Sequence, residues 1–594
     1  MTLFYSEIVE VYEEISSTTK RLEITDTLVK LLKKASPEEV NMVVYLTQGK
    51  LYPDYLGIEL GVADKFMARA IALASGVSTD KILDQYKKKG DLGVVAQEVI
   101  SSKKQAGLFE FTQATSDQLT VEEVYKTLDK VARITGEGSQ DSKVRLLAGL
   151  LKKATPLEAK YITRTVLGTL RLGLADMTIL DAISIAYLGD KDLRPIAERA
   201  YNVSGDLGYV AKIALEKGLN GLKEVKIKLG IPIRPMLAER ATSEKEIFER
   251  LDNSFVVEYK YDGERVQIHK DGKKFTLFSR SLENITHHYP DVIQHLTDNI
   301  NAETAILEGE IVAIQPSGEM LPFQELMHRR RKYDIEKAIE EYPAAVFLFD
   351  LLYLNGEELI DYPLKRRREL LEQIVKTDFW IRLSEKRFAD TPEKLLEILN
   401  EAVSAGCEGL MCKSLANDSV YQAGARGFLW IKLKRSYQSK MVEPIDVCIV
   451  GGFYGTGKRA GKLGGLLVAV YDPKSDTFKT ICKLGTGFTD EDLDNLPKIL
   501  EPYRIEHIHP RVVSKIDADV WYIPAKVIEI IGDEITLSPI HTAAFGAITK
   551  DAGLAVRFPR FTGRYRDDKK PEDATTEDEI VEMYKSQLKK VESE

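Results

Sequence analysis

The hydrophobic pattern changes its period along the chain, so one layer architecture cannot accommodate the whole sequence. Over the first 230 or so residues apolar side chains recur every three or four positions, which indicates amphipathic helices. After Ile231–Pro235 (IPIRP) short strand-like runs alternate with helical segments, and after about residue 439 strands dominate. We therefore predict three domains: an all-α domain at 1–232, an α+β domain at 233–438, and a small β-barrel with a C-terminal tail at 439–594.

The helical region repeats itself. Lys30–Glu39 (KLLKKASPEE) matches Gly149–Glu158 (GLLKKATPLE) at seven of ten positions. Further on, Gly61–Ile71 resembles Gly173–Ile183 at a similar separation. This pattern predicts a duplicated helical unit, which can serve as a scaffold or as a binding surface.

The segment from Lys260 to Arg265 (KYDGER) ends a predicted strand with a lysine and continues through a turn-forming Asp-Gly pair. Strand periodicity places Glu258 and Lys260 on the same face. A lysine amine that loses its proton is a nucleophile, whereas a solvated lysine on a surface hairpin has no such role. The KYDGER motif alone does not distinguish a nucleophilic lysine from a solvated one.

Acidic residues recur on the strands that follow. Leu307–Val312 (LEGEIV) places Glu308 and Glu310 on one face, where carboxylates need a metal, a cation or a hydroxyl group. Glu408–Lys413 (EGLMCK) brings a further carboxylate and a second lysine.

Two other strands carry aromatic rings and lysines. Phe347 and Phe349 share a face, and one of them could offer its ring to a base, although plain core packing is the simpler interpretation for Phe347. Phe428–Lys434 (FLWIKLK) alternates cleanly, and its apolar face already supplies the core. Lys432 and Lys434 are therefore predicted to point at an anion.

The ordered motif set resembles that of ATP-dependent DNA ligases of the archaeal and eukaryotic replicative type. The motifs are KYDGER, LFSR (Leu277–Arg280), LEGE, FLFDLLYLNG, EGLMCK, WIKLK and RFPRFTGRYRDDK (Arg557–Lys569). The resemblance extends over essentially the whole chain. It implies an all-α DNA-binding domain, a nucleotidyltransferase (adenylation) domain with antiparallel sheets, and a C-terminal OB-fold β-barrel.

The resemblance also implies site residues. Lys260 would be the nucleophile that forms a covalent lysyl-AMP. The ATP-binding set would be Glu258, Lys260, Arg265, Arg280, Glu310, Phe349, Arg426 and Lys432. Further phosphate-binding candidates are Lys413, Lys434, Arg557, Arg560, Arg566 and Lys569. The ligands of Mg²⁺ (or Mn²⁺) would be Glu310 and Glu408, and a hinge near Ser436–Glu443 would let the barrel close over the site.

Two partners follow from the resemblance: nicked duplex DNA and a sliding clamp. Gln105, Leu108 and Phe111 have the Gln-x-x-Leu-x-x-Phe spacing of a clamp-binding peptide, although a linker anchored on its own domain has the same appearance. The formal net charge of −9 argues against nucleic acid, but cations are concentrated at 329–332, at 366–368, at 426–435 (Arg426, Lys432, Lys434 and Arg435) and at 557–570. We expect these runs to line a basic DNA-facing groove.

Rival interpretations remain at this point. An RNA ligase or a capping-type nucleotidyltransferase uses the same lysine chemistry, and an inactive scaffold could bind DNA without catalysis. Whether NAD, ADP or GTP also serve as donors is left open. With no secretory signal or membrane-length apolar run in the sequence, we expect a cytoplasmic, nucleoid-associated monomer that does not engage a membrane.

Overall fold

The computed structural model describes residues 2–106, 118–331, 335–434, 443–455 and 463–592. They form two compact units, one of residues 1–82 with 92–435 and one of residues 83–91 with 436–594. The first unit contains the helical region together with the α+β region. None of the described helices combines the length and the apolar character that crossing a bilayer requires.

The N-terminal region is helical, as its periodicity predicts. Its helices are α1 (Tyr5–Ser16), α2 (Arg21–Leu32), α3 (Val40–Thr47), α4 (Asp64–Ser75), α5 (Thr79–Lys89), α6 (Leu92–Ala106), α7 (Val121–Arg133), α8 (Ser139–Lys153), α9 (Pro156–Val166), α10 (Asp176–Ile183), α11 (Arg194–Ser204) and α12 (Leu207–Lys223). The sequence repeat maps α2 and α3 onto α8 and α9, and α4 onto α10.

Helix packing in this region has the symmetry of the sequence repeat. The helix α4 packs against α8, and its counterpart α10 packs against α2; likewise α6 packs against α9 and α12 against α3. The N–H of Tyr5 donates to the carbonyl of Leu119 at 2.8 Å, and that of Val121 donates to Leu3 at 3.0 Å, which joins the starts of α1 and α7. The two copies therefore exchange helices and bury a common core.

The α+β region alternates strands and helices. Its elements are β1 (Leu237–Arg240), α13 (Glu244–Arg250), β2 (Phe255–Lys260), β3 (Glu264–Asp271), β4 (Lys274–Ser279), α14 (Pro290–Asn299), β5 (Thr304–Ala313), α15 (Phe323–Arg331), α16 (Ile335–Glu341), β6 (Ala344–Leu354), β7 (Glu357–Glu358), α17 (Leu364–Ile374), β8 (Ile381–Leu383), β9 (Lys386–Arg387), α18 (Pro392–Ser404), β10 (Gly409–Ser414) and β11 (Arg426–Lys434).

Two sheets face each other in this region. One has the order β1-β11-β10-β2-β9, and the other has the order β4-β3-β5-β6-β7 with β8 beside β6. Pairing is antiparallel as predicted, except for β1 with β11 and β6 with β8, which are parallel. One apolar core joins both sheets and includes Val257, Leu410, Val312 and Phe347. Side chains beyond the edge of that core line the cleft between the sheets.

The C-terminal region is rich in strands. Its elements are β12 (Ile445–Tyr454), β13 (Leu463–Asp472), β14 (Thr477–Leu484), α19 (Asp490–Leu500), β15 (Arg504–Ile505), β16 (Val512–Val513), β17 (Val520–Tyr522), β18 (Val527–Ile531), β19 (Glu534–Ser538), β20 (Gly553–Arg557), β21 (Arg560–Tyr565) and α20 (Glu577–Glu592).

Five of these strands form the predicted barrel. β14, β13, β12, β18 and β21 pair in that order, and the N–H of Phe561 donates to the carbonyl of Thr486, 3.0 Å away, which connects β21 back to the end of β14. The buried side chains of Val447, Val468 and Ile528 meet inside the ring. The sequence pattern did not predict β21, β20, β15 or β16, and the last two have only two residues each.

Candidate active site

Two glycines allow the strands of the site to approach one another. A Cβ atom on Gly263 would lie 2.2 Å from the carbonyl oxygen of Ile311, and a Cβ atom on Gly409 would lie 2.2 Å from that of Leu433. Both distances are far below contact, so only glycine fits at either position. These two glycines bring the β2–β3 turn onto β5 and the start of β10 onto β11.

Lys260 ends β2 and points into the cleft. Its ammonium group donates a very short hydrogen bond to Oε2 of Glu408, and the same oxygen lies 2.6 Å from Nζ of Lys434. Burial alone would raise the pKa of Glu408, but Lys260 and Lys434 together lower it. Glu408 is therefore a carboxylate that holds two lysine amines at one point.

Two further carboxylates lie beside this pair. Burial raises the pKa of Asp262, whose Oδ2 accepts a hydrogen bond from the N–H of Phe323 at 3.1 Å, and neighbouring Glu408 adds to the shift. Burial also raises the pKa of Glu310 to about 7, against the opposing effect of Lys260 and Arg265. Such buried carboxylates are stabilised by an added cation.

No cage of three or more His, Cys, Asp or Glu side chains occurs within the described ranges. Mg²⁺ does not need one, because it commonly binds one or two carboxylates together with substrate phosphates and water. Glu310 and Glu408 match this donor set, since their oxygen atoms are hard ligands in the same cleft.

Cations gather around Lys432 of β11, a strand of the same sheet as β2. Burial lowers the pKa of Lys432, and the positive charges of Arg426, Lys260, Arg280 and Lys434 lower it further. Four positive side chains therefore lie close enough to Lys432 to repel its charge. Such mutual repulsion is relieved by a polyanion, for example a triphosphate.

Arg265 starts the strand after the turn. Its guanidinium donates to the carbonyl of Met236 at 2.6 Å and to Oε2 of Glu308 at 2.7 Å. Nε of Arg265 and Nε1 of Trp430 are buried donors with no hydrogen-bond partner among the described residues. Unpaired buried donors are costly, and a ligand that carries acceptor atoms would satisfy them.

The two phenylalanines of β6 divide as predicted. Phe347 is buried in the core, where its ring stacks on that of Tyr261 at 4.1 Å between centroids. Phe349 is only partly buried, and the ring of Trp430 meets it edge-on at 6.1 Å. Phe349 is therefore the ring that remains available in the cleft.

Lys413 does not lie where a phosphate-binding residue would. Its side chain is 2% exposed, and Nζ donates to Oε2 of Glu258 at 2.8 Å. Burial lowers the pKa of Lys413, although Glu258 opposes this effect. The predicted position of Lys413 among the phosphate-binding cations was wrong. Lys413 pairs with Glu258 beneath the ring of Phe349 and does not lie with the cations around Lys432.

Three arginines of the predicted basic groove are buried. Arg367 is completely buried and forms a salt bridge with Asp350 at 2.8 Å. Arg368 is also buried and lies beside Glu258. Arg329 is 2% exposed and pairs with Asp291. These cations neutralise buried carboxylates, so they cannot face DNA; the side chains of 330–332 lie outside the described residues.

The last basic motif lies in the second unit. Arg557, at the end of β20, and Arg560, at the start of β21, are both exposed. Arg566 and Lys569 both bind the carboxylate of Asp446, at 2.9 Å and 2.6 Å. Within that unit, Asp446 holds these two cations together.

Two predictions fall largely on parts of the chain that the structure leaves undescribed. Gln105 belongs to the last turn of α6, while Leu108 and Phe111 lie outside the described residues. Of the predicted hinge at Ser436–Glu443, only Glu443 is described.

A chain of buried hydrogen bonds connects the segment before β1 to the cleft. The N–H of Gly230 donates to Nδ1 of His269 at 3.0 Å, and Nε2 of His269 lies 2.9 Å from Oε1 of Gln267. Gln267 in turn lies 3.5 Å from Glu308, which binds Arg265. This geometry assigns the proton of neutral His269 to Nε2.

His269 makes the protein sensitive to acid. Burial lowers the pKa of His269 to about 3, so below its unfolded value near 6.5 only the unfolded chain takes up the proton. Wild type should be more stable than His269→Gln at neutral pH, and that advantage should shrink by about 2 kcal/mol between about pH 7 and about pH 5. Thermal unfolding at both pH values measures the change, with exposed His287→Gln as the control. An advantage that stays constant with pH would contradict the assignment.

Sequence reasoning missed several residues of this site. Asp262 was visible within the KYDGER motif as a turn residue, and Trp430 shares the face of Lys432. Arg368 gave no signal, because a run of three arginines is typical of a solvated helix face. Only the fold shows that this residue turns inward toward Glu258.

Family models match three segments of the chain. They are "DNA ligase N terminus" at residues 4–184, "ATP dependent DNA ligase domain" at 235–434 and "ATP dependent DNA ligase C terminal region" at 459–569. The second segment contains every residue of the cleft described above.

Similar proteins match over nearly their whole length. "DNA ligase 2" of Thermofilum pendens is 57% identical over 98% of this chain and 98% of its own. "DNA ligase" of Saccharolobus solfataricus is 51% identical, with 99% and 98% covered. Among solved structures, "Pmar-Lig_PreS3" covers 94% of this chain and 99% of its own with a TM-score of 0.54 at 17% identity, a similarity of fold.

Proposed function

Because the chain belongs to the ATP-dependent DNA ligase family, we propose that it seals nicks in duplex DNA through an AMP group carried on Lys260. The observation that supports this assignment most directly is the position of Lys260, whose amine lies in a cleft against Glu408. The reaction consumes ATP as a substrate and joins a 5′-phosphate to the adjacent 3′-hydroxyl.

Three phosphoryl transfers complete the reaction. In the first, Nζ of Lys260 attacks the α-phosphorus of ATP, a P–N bond forms, pyrophosphate leaves and the amine gives up its proton. In the second, the 5′-phosphate of the nick takes the AMP and Lys260 is released. In the third, the 3′-hydroxyl attacks that 5′-phosphorus and AMP leaves. Each step gains mainly from positioning and from neutralised charge.

The residues of the cleft divide between the base and the phosphates. Glu258 would contact adenine and Phe349 would stack on it, while Arg265, with its unpaired Nε, would donate to the ribose and phosphate side together with Glu310. The mutually repelling cations around Lys432 would bind the phosphate chain; these are Arg280, Arg426, Lys432 and Lys434.

Mg²⁺ (or Mn²⁺) would be held by Glu310 and Glu408. When bound, it would neutralise phosphate charge during transfer. The protein's own contribution is to keep both carboxylates in one partly buried cleft.

The three-domain division at 1–232, 233–438 and 439–594 is part of the proposal, as is a monomeric enzyme that acts in replication, repair and recombination in the cytoplasm near the nucleoid. The helical domain would grip the duplex, because two exchanged copies of one helical unit offer a long surface to a nearly symmetric double helix. Arg557, Arg560, Arg566 and Lys569 would reach the phosphates of ATP from the barrel.

A sealing assay tests the proposal against the capping alternative. Purified protein with ATP and Mg²⁺ should join a labelled nicked DNA duplex and should not transfer GMP to RNA 5′ ends. Transfer to RNA without sealing of DNA would favour a capping-type nucleotidyltransferase. Parallel reactions with NAD, ADP and GTP determine which donors are accepted.

We also propose that Gln105, Leu108 and Phe111 bind a sliding clamp. Such peptides bury a few apolar side chains in a pocket, so replacing Leu108 and Phe111 with alanine should weaken binding at least about tenfold. Surface plasmon resonance with the clamp measures this, and nick sealing without the clamp is the control. Unchanged affinity would contradict a role for this segment.

A further inference from the structure

The carboxylate of Glu258 is enclosed by two buried cations. Glu258 is 3% exposed on β2, and its Oε2 accepts the hydrogen bond from Nζ of Lys413 at 2.8 Å. Its other oxygen, Oε1, lies 3.5 Å from Nη1 of Arg368. Both oxygens of the carboxylate therefore lie next to a buried positive charge.

Lys413 also contacts the rings of the cleft. Its ammonium group lies 4.5 Å from the centroid of the Phe349 ring and 4.6 Å from that of Trp430. At these distances a cation is attracted to the face of an aromatic ring. One ammonium therefore restrains both the carboxylate and the ring that the proposed function places against the base.

Arg368 contributes less to this arrangement. It donates to the carbonyl of Ser384 at 2.6 Å and to Glu372 at 2.9 Å, so its guanidinium has other anchors. Nη1, the atom nearest Glu258, forms no hydrogen bond within the described part of the chain. Lys413 is therefore the stronger of the two restraints on Glu258.

We propose that Lys413 is a positioning residue that makes the site select adenine over guanine, an inference that rests on the proposed function. Lys413 fixes Glu258 as a pure hydrogen-bond acceptor and supports Phe349. An ionised carboxylate accepts hydrogen bonds but cannot donate them. The exocyclic N6 amino group of adenine donates to such an acceptor, whereas guanine presents its O6 acceptor at the same place and is repelled.

The test is covalent labelling of the full-length protein with α-labelled ATP and with α-labelled GTP over a range of concentrations. In Lys413→Met the ATP-over-GTP preference should fall by about tenfold or more, chiefly through a higher KM for ATP. Lys413→Arg keeps the charge and should retain most of the preference. Lys143→Met is the matched control, because Lys143 is also buried and donates to the carbonyl of Leu60 at 2.7 Å, away from the cleft.

Each outcome is decisive. Folded Lys413→Met with the wild-type preference would overturn the inference, since a merely structural lysine changes the melting temperature and not the choice of donor. Should that variant fail to fold, Lys413→Gln replaces it, because its amide fills part of the space but brings no positive charge to Glu258 and the aromatic rings; the same fall is expected, and an unchanged preference overturns the inference. Wild-type protein that ATP does not label would instead overturn the proposed function.

Discussion

Lys260→Ala will not become labelled by α-labelled ATP, and its ATP-dependent nick sealing will fall by at least about ten-thousandfold. Alanine supplies no amine at this position to attack the α-phosphorus, so the first transfer cannot begin there. The same variant should still seal a nick that already carries AMP on its 5′-phosphate, since that substrate bypasses the first two transfers.

Lys434→Met is the matched control for this prediction. Lys434 binds the same oxygen of Glu408 at 2.6 Å, so it shares the charge and the surroundings of Lys260. That variant should be labelled more slowly but still covalently. If Lys260→Ala were labelled like wild type, the nucleophile would lie elsewhere.

Glu408→Gln will lower the rate of covalent labelling by about a hundredfold or more and will raise the Mg²⁺ concentration needed for half-maximal rate. The change keeps the shape of the side chain but removes the negative charge that both Lys260 and Lys434 contact. Without that charge the amine loses its oriented acceptor, and the cleft loses one of its two proposed metal ligands.

Labelling rates measured across a Mg²⁺ titration test the second prediction. Glu397→Gln serves as the control, because Glu397 is exposed and pairs only with exposed Lys394 among the ion pairs described. A Glu408→Gln protein with the rate and the Mg²⁺ dependence of wild type would exclude both roles.

Much of the fold was accessible from the sequence because its signals are local. Alternation predicts strands at Ser254–Lys260, Arg265–Lys270 and Thr304–Ile314, close to the observed β2, β3 and β5. Asp271-Gly272 predicts the hairpin that leads to β4. The internal repeat predicted the duplicated helices. It could not predict that the two copies exchange helices, because which copy packs on which depends on contacts distant in sequence.

The wrong predictions for the positions of these cations have one physical cause. The strands β10 and β11 are neighbours in one sheet, and their lysine-bearing face lies inside the protein. Alternation therefore cannot distinguish the buried Lys413 of β10 from the partly exposed Lys432 of β11. Likewise the run at 366–368 resembles a solvated helix face, yet Arg367 pairs with Asp350 of β6. Such cations lie where the fold brings a buried carboxylate near them, and that carboxylate is distant in the sequence.

The central claim is that AMP becomes attached to Lys260, and peptide mapping of the labelled protein tests it most directly. Wild-type protein is labelled with α-labelled ATP, digested and sequenced by mass spectrometry, and a parallel sample is given nicked DNA. We predict AMP on the Nζ of Lys260 and its loss from the protein when nicked DNA is added. AMP on another residue, or AMP on Lys260 that nicked DNA does not remove, would contradict the account.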